Sequence, residues 1–211
     1  MAWKLVTATT EALSFISLTT AKLYLKVDDT GDDTMITEFI TSAIKQCEEY
    51  LGRILLTETW DLWLDKPGLL QGAEPWFNGM REGSFNELFG GASQFYIELS
   101  KAPIQSVSYV KYYDTADAVA TFASSKYLVD TISVPARVVL NSGQTWPTST
   151  RDVNAFNVRV VAGYGYASVP APLKTAVLQQ IFSLYENRHS GEMILNKGAK
   201  DIMDQFKVWA A

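Results

Sequence analysis

The clearest pattern in the chain is a stripe of apolar residues at three- and four-residue steps between residues 32 and 52. The stripe predicts a helix that begins at Asp32 or Asp33 and is closed by Gly52. A shorter apolar pattern over Leu18 to Lys26 predicts one or two helical turns before it, with threonines available as N-caps. The acidic sequence VDDTGDD separates the two patterns. The residues of the stripe are Ile36, Phe39, Ile40, Ala43, Ile44, Cys47 and Leu51.

Between residues 54 and 162 apolar and polar residues alternate, which is typical of half-buried strands. Turn residues separate the alternating runs at the spacing expected of a small antiparallel sheet or sandwich. The stretch from Leu69 to Ser93 differs, because it is rich in glycine and aromatic residues and has no period. The predicted strands cover residues 57–65, 95–99, 104–114, 119–122, 127–130, 136–140 and 156–163.

A helical pattern returns after Pro170 and Pro172. Apolar residues from Leu173 to Tyr185 form an almost continuous stripe, and a proline near the first turn is compatible with a helix start because its missing N–H has no intrahelical partner there. The last segment, Ala199 to Trp209, carries Ile202, Phe206 and Trp209 at helical spacing. The sequence therefore predicts helices on both sides of a run of strands.

Composition excludes several classes of protein. The 211 residues are enough to bury a core without a disulfide or a metal ion. One cysteine and one histidine exclude an intramolecular disulfide framework and a zinc site built from these residues. The net charge is -5, and the acidic excess lies in the first 66 residues, so the chain is a poor general binder of nucleic acid. We expect neither a signal peptide nor a membrane span.

The acidic sequence at residues 27–33 invites a calcium interpretation. An EF-hand loop needs oxygen ligands at positions 1, 3 and 5, a glycine at 6 and a glutamate at 12. Neither Asp28 nor Asp29 as a starting point reproduces that spacing. The aspartates are therefore predicted to form the solvated N-terminal end of a helix, where the helix dipole favours negative charge.

Other candidate chemistry is weak. His189 lies just beyond a predicted helix and Cys47 lies on the apolar stripe, so a nucleophilic role for the pair is not favoured. The sequence Gly163-Tyr164-Gly165-Tyr166 lacks the spacing of a phosphate-binding loop and is predicted to be a sharp turn from sheet to helix. A different class stays open as an alternative: a β-rich glycan-binding domain or hydrolase that uses Trp60, Trp63 and Trp76.

Three stretches carry sequence motifs in a fixed order. Residues 18–56 combine a short helix, an acidic break and a helix ending in E-x-Y-L-G-R-x-L. Residues 99–119 contain P-I-x-S-V and paired tyrosines, and SSKYLVD follows. Residues 146–188 contain a strand, A-G-Y-G, V-P-x-x-L-K and L-Y-E-N-R. In this order the chain resembles, from about Ser17 to Arg188, the head–tail connector (adaptor, or head-completion) proteins of long-tailed bacteriophages and gene-transfer particles.

The resemblance implies an α+β fold, in which a small antiparallel helical bundle carries an inserted antiparallel β domain. The bundle consists of the N-terminal helices and a helix over residues 173–188. The implied parts are a helical part at 1–53, a β domain at 54–168 with a long glycine- and aromatic-rich loop at 67–94, and a C-terminal helix and tail at 169–211. The predicted helical core consists of Ile36, Phe39, Ile40, Ile44, Cys47, Val177, Ile181 and Leu184.

The resemblance also implies a non-enzymatic structural protein of the virion, made in the host cytoplasm and placed at the head–tail junction. Its subunits form a ring, typically of twelve copies, under the portal protein, with a stopper or tail protein below and packaged DNA passing through without sequence-specific binding. No cofactor, metal ion or membrane is implied. A stopper or tail-completion protein of the same particle is the alternative. The predicted interface residues are Trp76, Phe77, Phe85, Phe89, Phe206 and Trp209.

Overall fold

The computed structural model describes residues 2–67, 96–188 and 195–207, which belong to two compact units. The described parts of the helical unit are residues 8–58, 101–103, 162–188 and 195–207. The described parts of the β unit are residues 2–7, 59–67, 96–100 and 104–161. The chain therefore passes from one unit to the other after residues 7, 58, 100, 103 and 161, and neither unit is a continuous piece of sequence.

The helical unit is built from five described helices with clear start and stop signals. The Ser17 hydroxyl accepts a hydrogen bond of 3.1 Å from the Thr20 N–H and so caps the second helix. The long third helix ends at Gly52, whose φ of 64° is the left-handed conformation that glycine adopts without strain. The helices are α1 (Ala12–Phe15), α2 (Leu18–Leu25), α3 (Asp33–Leu51), α4 (Ala171–Glu186) and α5 (Lys197–Met203).

The core of the helical unit lies between α3 and α4. Six of the eight residues predicted for this core are at most 1% exposed: Ile36, Ile40, Ile44, Cys47, Val177 and Ile181. Leu184 is half-buried and packs against the same cluster, and Phe39 is half-buried. Burying such side chains stabilises the fold by roughly 1.5–3 kcal/mol each. The two apolar stripes, more than 100 residues apart in sequence, are thus two sides of one core.

The β unit contains two antiparallel sheets. The larger sheet has the strand order β1-β2-β8-β4-β5, and the smaller one has the order β3-β7-β6. Strand β1 pairs antiparallel to β2, with Trp3 opposite Leu62. The strands are β1 (Ala2–Thr7), β2 (Glu58–Leu64), β3 (Tyr96–Leu99), β4 (Ile104–Tyr113), β5 (Val119–Phe122), β6 (Tyr127–Asp130), β7 (Ala136–Leu140) and β8 (Phe156–Ala162).

Burial on β8 follows the strand period of two only in part, because Asn157 is also buried, at 3% exposure. On β8, Phe156, Val158 and Val160 are fully buried, while Arg159 between them reaches solvent. Trp146 follows β7 and packs its ring against Phe122 and Phe156, at centroid distances of 5.0 and 6.1 Å. The β unit therefore has an apolar core of its own.

The predicted α+β class, with helices on both sides of an inserted antiparallel β part, is confirmed. One element differs: residues 2–7 form a strand in the β unit, whereas they were assigned to the helical part. This strand is mostly exposed and gains its pairing from residues 59–63, a contact that no local pattern announces. Among the described residues, no helix is both long and apolar enough to cross a membrane.

Candidate functional site

The predicted aromatic interface lies almost wholly outside the described residues. Phe206, the exception, is half-buried against the core of the helical unit, and its carbonyl oxygen accepts a hydrogen bond of 2.7 Å from Arg53 Nε. The structure therefore places Phe206 in the packing of its own subunit. The other predicted positions stay a prediction: Trp76, Phe77, Phe85, Phe89 and Trp209.

The acidic loop, which we define as residues 27–33, is held by contacts within the helical unit. Lys22 Nζ donates to Asp33 Oδ1 at 2.6 Å and to the Asp29 carbonyl at 2.7 Å. The Tyr185 hydroxyl donates to Asp32 Oδ2 at 2.7 Å. No group of three or more His, Cys, Asp or Glu side chains suited to a metal ion occurs within residues 2–67, 96–188 and 195–207. Asp28 and Asp29 lie exposed.

Cys47 is a packing residue of the helical core. Burial, assisted by the negative charge of Glu48, raises the pKa of the Cys47 thiol to about 12. Since the thiolate is the nucleophilic form of cysteine, the protonated thiol is inert at neutral pH. His189, the other candidate for nucleophilic chemistry, lies outside the described residues.

The turn at residues 163–166 brings the backbone of Gly163 close to the backbone of Leu56. Gly163 has a φ of +112°, and its N–H donates to the Pro103 carbonyl at 2.8 Å. A Cβ placed on Gly163 would lie 2.2 Å from the carbonyl oxygen of Leu56. Only glycine fits this position, so close packing of the backbone accounts for the residue type. The predicted turn is present here.

Two of the three tryptophans considered for glycan binding, Trp60 and Trp63, can be compared with a cavity of the β unit, whereas Trp76 lies outside the described residues. That cavity has a volume of about 480 Å³ and is lined by Leu140, Trp146 and Phe156, together with threonine, glutamine, proline and lysine side chains. Trp60 and Trp63 are absent from its described lining. Trp63 instead stacks on Tyr113 at a centroid distance of 5.9 Å.

An ionic cluster of two buried carboxylates and the exposed Lys45 lies in the helical unit, and its only sequence signal is the three-residue spacing of Lys45 and Glu48. Lys45 Nζ donates to Glu48 Oε2 at 2.8 Å and to Glu58 Oε1 at 2.5 Å, and both carboxylates are buried. Glu48 Oε1 also accepts the backbone N–H groups of Leu55 and Leu56 at 2.8 and 3.3 Å. These contacts fix the chain where it runs from α3 into β2, so the cluster is structural.

We expect the helical unit to lose stability at alkaline pH. Folded Cys47 has a pKa of about 12, whereas its unperturbed value is 9.0. At pH values between these two pKa values, the Cys47 thiol keeps its proton in the folded state and loses it in the unfolded state. The free energy of unfolding therefore falls by about 1.4 kcal/mol for each pH unit of increase. Burial lowers the pKa of Lys45, but its hydrogen bonds to Glu48 and Glu58 outweigh burial and raise the pKa overall. The stabilisation by protonated Lys45 is fully present at pH values below its unperturbed pKa of 10.5. It is lost as the pH rises through the pKa of Lys45 in the folded state.

Urea unfolding at several pH values from about 8 to about 11 measures this loss. The matched control is Cys47→Ala, which lacks the titrating thiol and should show a slope smaller by about 1.4 kcal/mol per pH unit above pH 9. Equal slopes for the two proteins would contradict the assignment of the raised pKa to Cys47.

Exposed apolar side chains on the helical unit form one candidate contact surface. Leu23 on α2 is 75% exposed, which is unusual for a large aliphatic residue. Tyr24, next to it, and Phe182 on α4 are also exposed, and their rings meet edge to face at 6.4 Å. We call these three residues the helical patch.

The second candidate surface is one face of the five-stranded sheet. Lys4 on β1 lies directly opposite Asp61 on β2, and Asp61 pairs with Arg159 on β8. The Arg159 guanidinium lies 5.0 Å from the ring centroid of Tyr109 on β4. These contacts put the four side chains on the same face, and alternate residues of each strand share it. We call it the cation–aromatic face; it consists of Lys4, Asp61, Trp63, Tyr109, Lys111, Tyr113 and Arg159.

The solvent-accessible charges of the cation–aromatic face are positive, with Lys4 exposed and Lys111 and Arg159 half-buried. Lys111 Nζ lies 4.3 Å from the Tyr109 ring centroid, a cation–π contact. Asp61, 6% exposed, accepts two hydrogen bonds from Arg159, at 2.7 and 2.8 Å. The hydrogen bond to Asp61 raises the pKa of Arg159. The only carboxylate among these contacts is thus buried and already compensated.

Residues 15–89 match the family described as phage gp6-like head-tail connector proteins. The resemblance to head–tail connector proteins is confirmed. This matching segment includes α2, α3 and β2, the part of the chain in which the acidic loop and most of the helical core lie. None of the curated proteins matches the chain.

Solved structures with the same fold come from necks and virions of gene transfer agent particles. A chain in the neck of an empty particle, computed with C6 symmetry, has a TM-score of 0.74 to this chain. Chains from the virion of a native gene transfer agent and from the neck of a native particle with C12 symmetry both have TM-scores of 0.72. Each is 16% identical, and each comparison covers 100% of this chain and 97% of the other. At this identity the likeness establishes the fold.

Proposed function

We propose that the protein is a structural head–tail connector subunit of a virus-like particle, located at the head–tail junction. The observation that carries the proposal is the coincidence of two independent likenesses. Residues 15–89 match the connector family, and the fold of the whole chain is that of chains from particle necks and virions. These relatives are structural parts of particles and not enzymes, which supports a structural role here.

The proposed assembly is a ring, of twelve copies, that docks beneath the portal protein and extends the DNA channel toward a stopper or tail protein. The neck structures with the same fold were computed with C6 and C12 symmetry, and both are compatible with twelve copies. A ring is closed by a heterologous contact, in which two different surfaces of the same chain meet. The described residues present surfaces of different chemistry, namely the apolar helical patch, the acidic loop and the cation–aromatic face, which supports an assembly of this kind.

A gene deletion combined with particle reconstruction tests the proposal. Particles made without the protein should contain packaged DNA but carry no tail, and supplying the intact chain in trans should restore tails. A reconstruction of complete particles should place the chain between portal and tail. Density for the chain at the tail tip or inside the capsid would overturn the assignment.

We expect no catalytic step in this role. Replacing Cys47 or His189, the residues considered for nucleophilic chemistry, with alanine should leave DNA transfer or infectivity nearly unchanged, because neither would take part in a reaction. Transfer titres of particles carrying each variant measure this. A variant that folds and enters the particle but abolishes transfer would contradict the structural role.

A further inference from the structure

The cation–aromatic face has the composition of a surface that binds carboxylates. Lys4 and Lys111 form no ion pair with a described residue, although both belong to a chain whose net charge is -5. Arg151 lies beside the face, with its guanidinium 4.0 Å from the ring centroid of Tyr113, but its charge is already paired with Asp117 at 3.2 Å. The Tyr109 ring lies beneath Lys111 and Arg159, and the Tyr113 ring lies beneath Arg151, so cation–π contacts hold these three cations in place.

The acidic loop on the helical unit is the complementary feature. Four aspartates occur within residues 28–33, and Asp28 and Asp29 are exposed. The side chain of Asp28 has no hydrogen bond or ion pair with a described residue, and Asp29 Oδ1 accepts only the N–H of Gly31 at 3.1 Å. Of the nearby cations, Lys22 is bound to Asp33, which leaves Lys26 as the opposing charge. The loop therefore keeps an excess of unpaired carboxylates.

We propose that the cation–aromatic face of one subunit binds the acidic loop of a second copy of the chain. The inference rests on the proposed ring and adds to it the surfaces that meet. In a heterologous contact between identical subunits, both halves must be present on every chain. Charge complementarity selects this pair of surfaces and sets the register of the contact, whereas each exposed ion pair adds little binding energy by itself.

Charge reversal on each side, and on both sides together, tests the contact. The face variant is Lys4→Glu with Lys111→Glu, and the loop variant is Asp28→Lys with Asp29→Lys. Each variant alone should lower the amount of the chain per portal in purified particles, measured by quantitative mass spectrometry, by about tenfold, which corresponds to about 1.4 kcal/mol. The chain that carries all four substitutions should recover to nearly the wild-type amount, because the opposed charges are exchanged.

A matched control changes the charge of the β unit off the face. Lys66→Glu with Lys126→Glu alters the net charge by the same amount and should leave incorporation nearly unchanged. Circular dichroism of each purified variant checks that its thermal midpoint stays within a few degrees of the wild type. If a reversal variant does not fold, the neutral pairs Lys4→Gln with Lys111→Gln and Asp28→Asn with Asp29→Asn replace it, and a double-mutant cycle should give a coupling between the two sides.

The outcomes separate this contact from the proposed function. Normal incorporation of the single-side variants, failure of the four-substitution chain to recover, or additive effects in the cycle would overturn the contact and leave the connector assignment intact. Absence of the wild-type chain from the neck would overturn the assignment itself. A face variant that loses affinity for duplex DNA, while the loop variant incorporates normally, would identify DNA as the partner and refute the contact.

Discussion

Replacing Ile44 with alanine is expected to lower the free energy of unfolding by about 2–5 kcal/mol. Ile44 is 1% exposed and lies in the core cluster that α3 shares with α4. The loss combines the missing transfer free energy of the removed carbons with the cavity left in a packed interior, which relaxes only in part. Urea unfolding monitored by far-UV circular dichroism, which follows the helices, measures the change.

The matched control is Ile132→Ala, the same substitution at a position that is 93% exposed. It should change the free energy of unfolding by less than about 0.5 kcal/mol, as surface substitutions usually do. A loss below about half a kcal/mol for Ile44→Ala would show that the α3 stripe is not a core of this subunit.

Gly163→Ala is expected to destabilise the helical unit by about 3 kcal/mol or more, which combines backbone strain with steric overlap. Its φ of +112° is strained for alanine, and the added Cβ would meet the Leu56 carbonyl oxygen at 2.2 Å. The backbone there carries hydrogen bonds from Gly163 to Pro103 and from Tyr164 to Leu55, so displacement of the turn also weakens these. Calorimetry would show the loss as a lower unfolding temperature.

Gly143→Ala separates strain from overlap. Gly143 also has a positive φ, of +76°, but a Cβ added there meets nothing within 4 Å. We expect a cost of about 1 kcal/mol, from the backbone conformation alone. Equal costs for the two glycine variants would show that the contact with Leu56 does not determine the choice of residue at position 163.

The sequence predicts those elements whose signal is local. The stripe from Ile36 to Leu51 repeats at helical steps over four turns, and the helix ends at the glycine that the pattern indicated. Strand β4 was predicted over 104–114 and spans Ile104–Tyr113, because alternation and the turns around it are also local signals. Strand β1 was missed, since a six-residue exposed edge strand has neither a buried face nor a hairpin turn to announce it.

The candidate surfaces could not be predicted in the same way. The cation–aromatic face combines side chains from β1, β2, β4 and β8, and only the strand order and register bring Lys4, Asp61 and Arg159 together. Phe206 was predicted as an interface residue because exposed and buried aromatic residues look alike in a sequence. Phe206 is half-buried because it packs against the core cluster to which α3 contributes. The residues around Phe206 in the sequence give no information about this distant helix.

The pairing of α3 with α4 also has a consequence for how the chain is made. The two helices are separated by roughly 120 residues, from Leu51 to Ala171. At a synthesis rate of about 5–20 residues per second, α3 leaves the ribosome roughly 6–24 s before its partner exists. During that interval its apolar stripe lacks the cover that the finished subunit provides. The nascent chain, more than the folded protein, is therefore the form most exposed to aggregation and most dependent on chaperones.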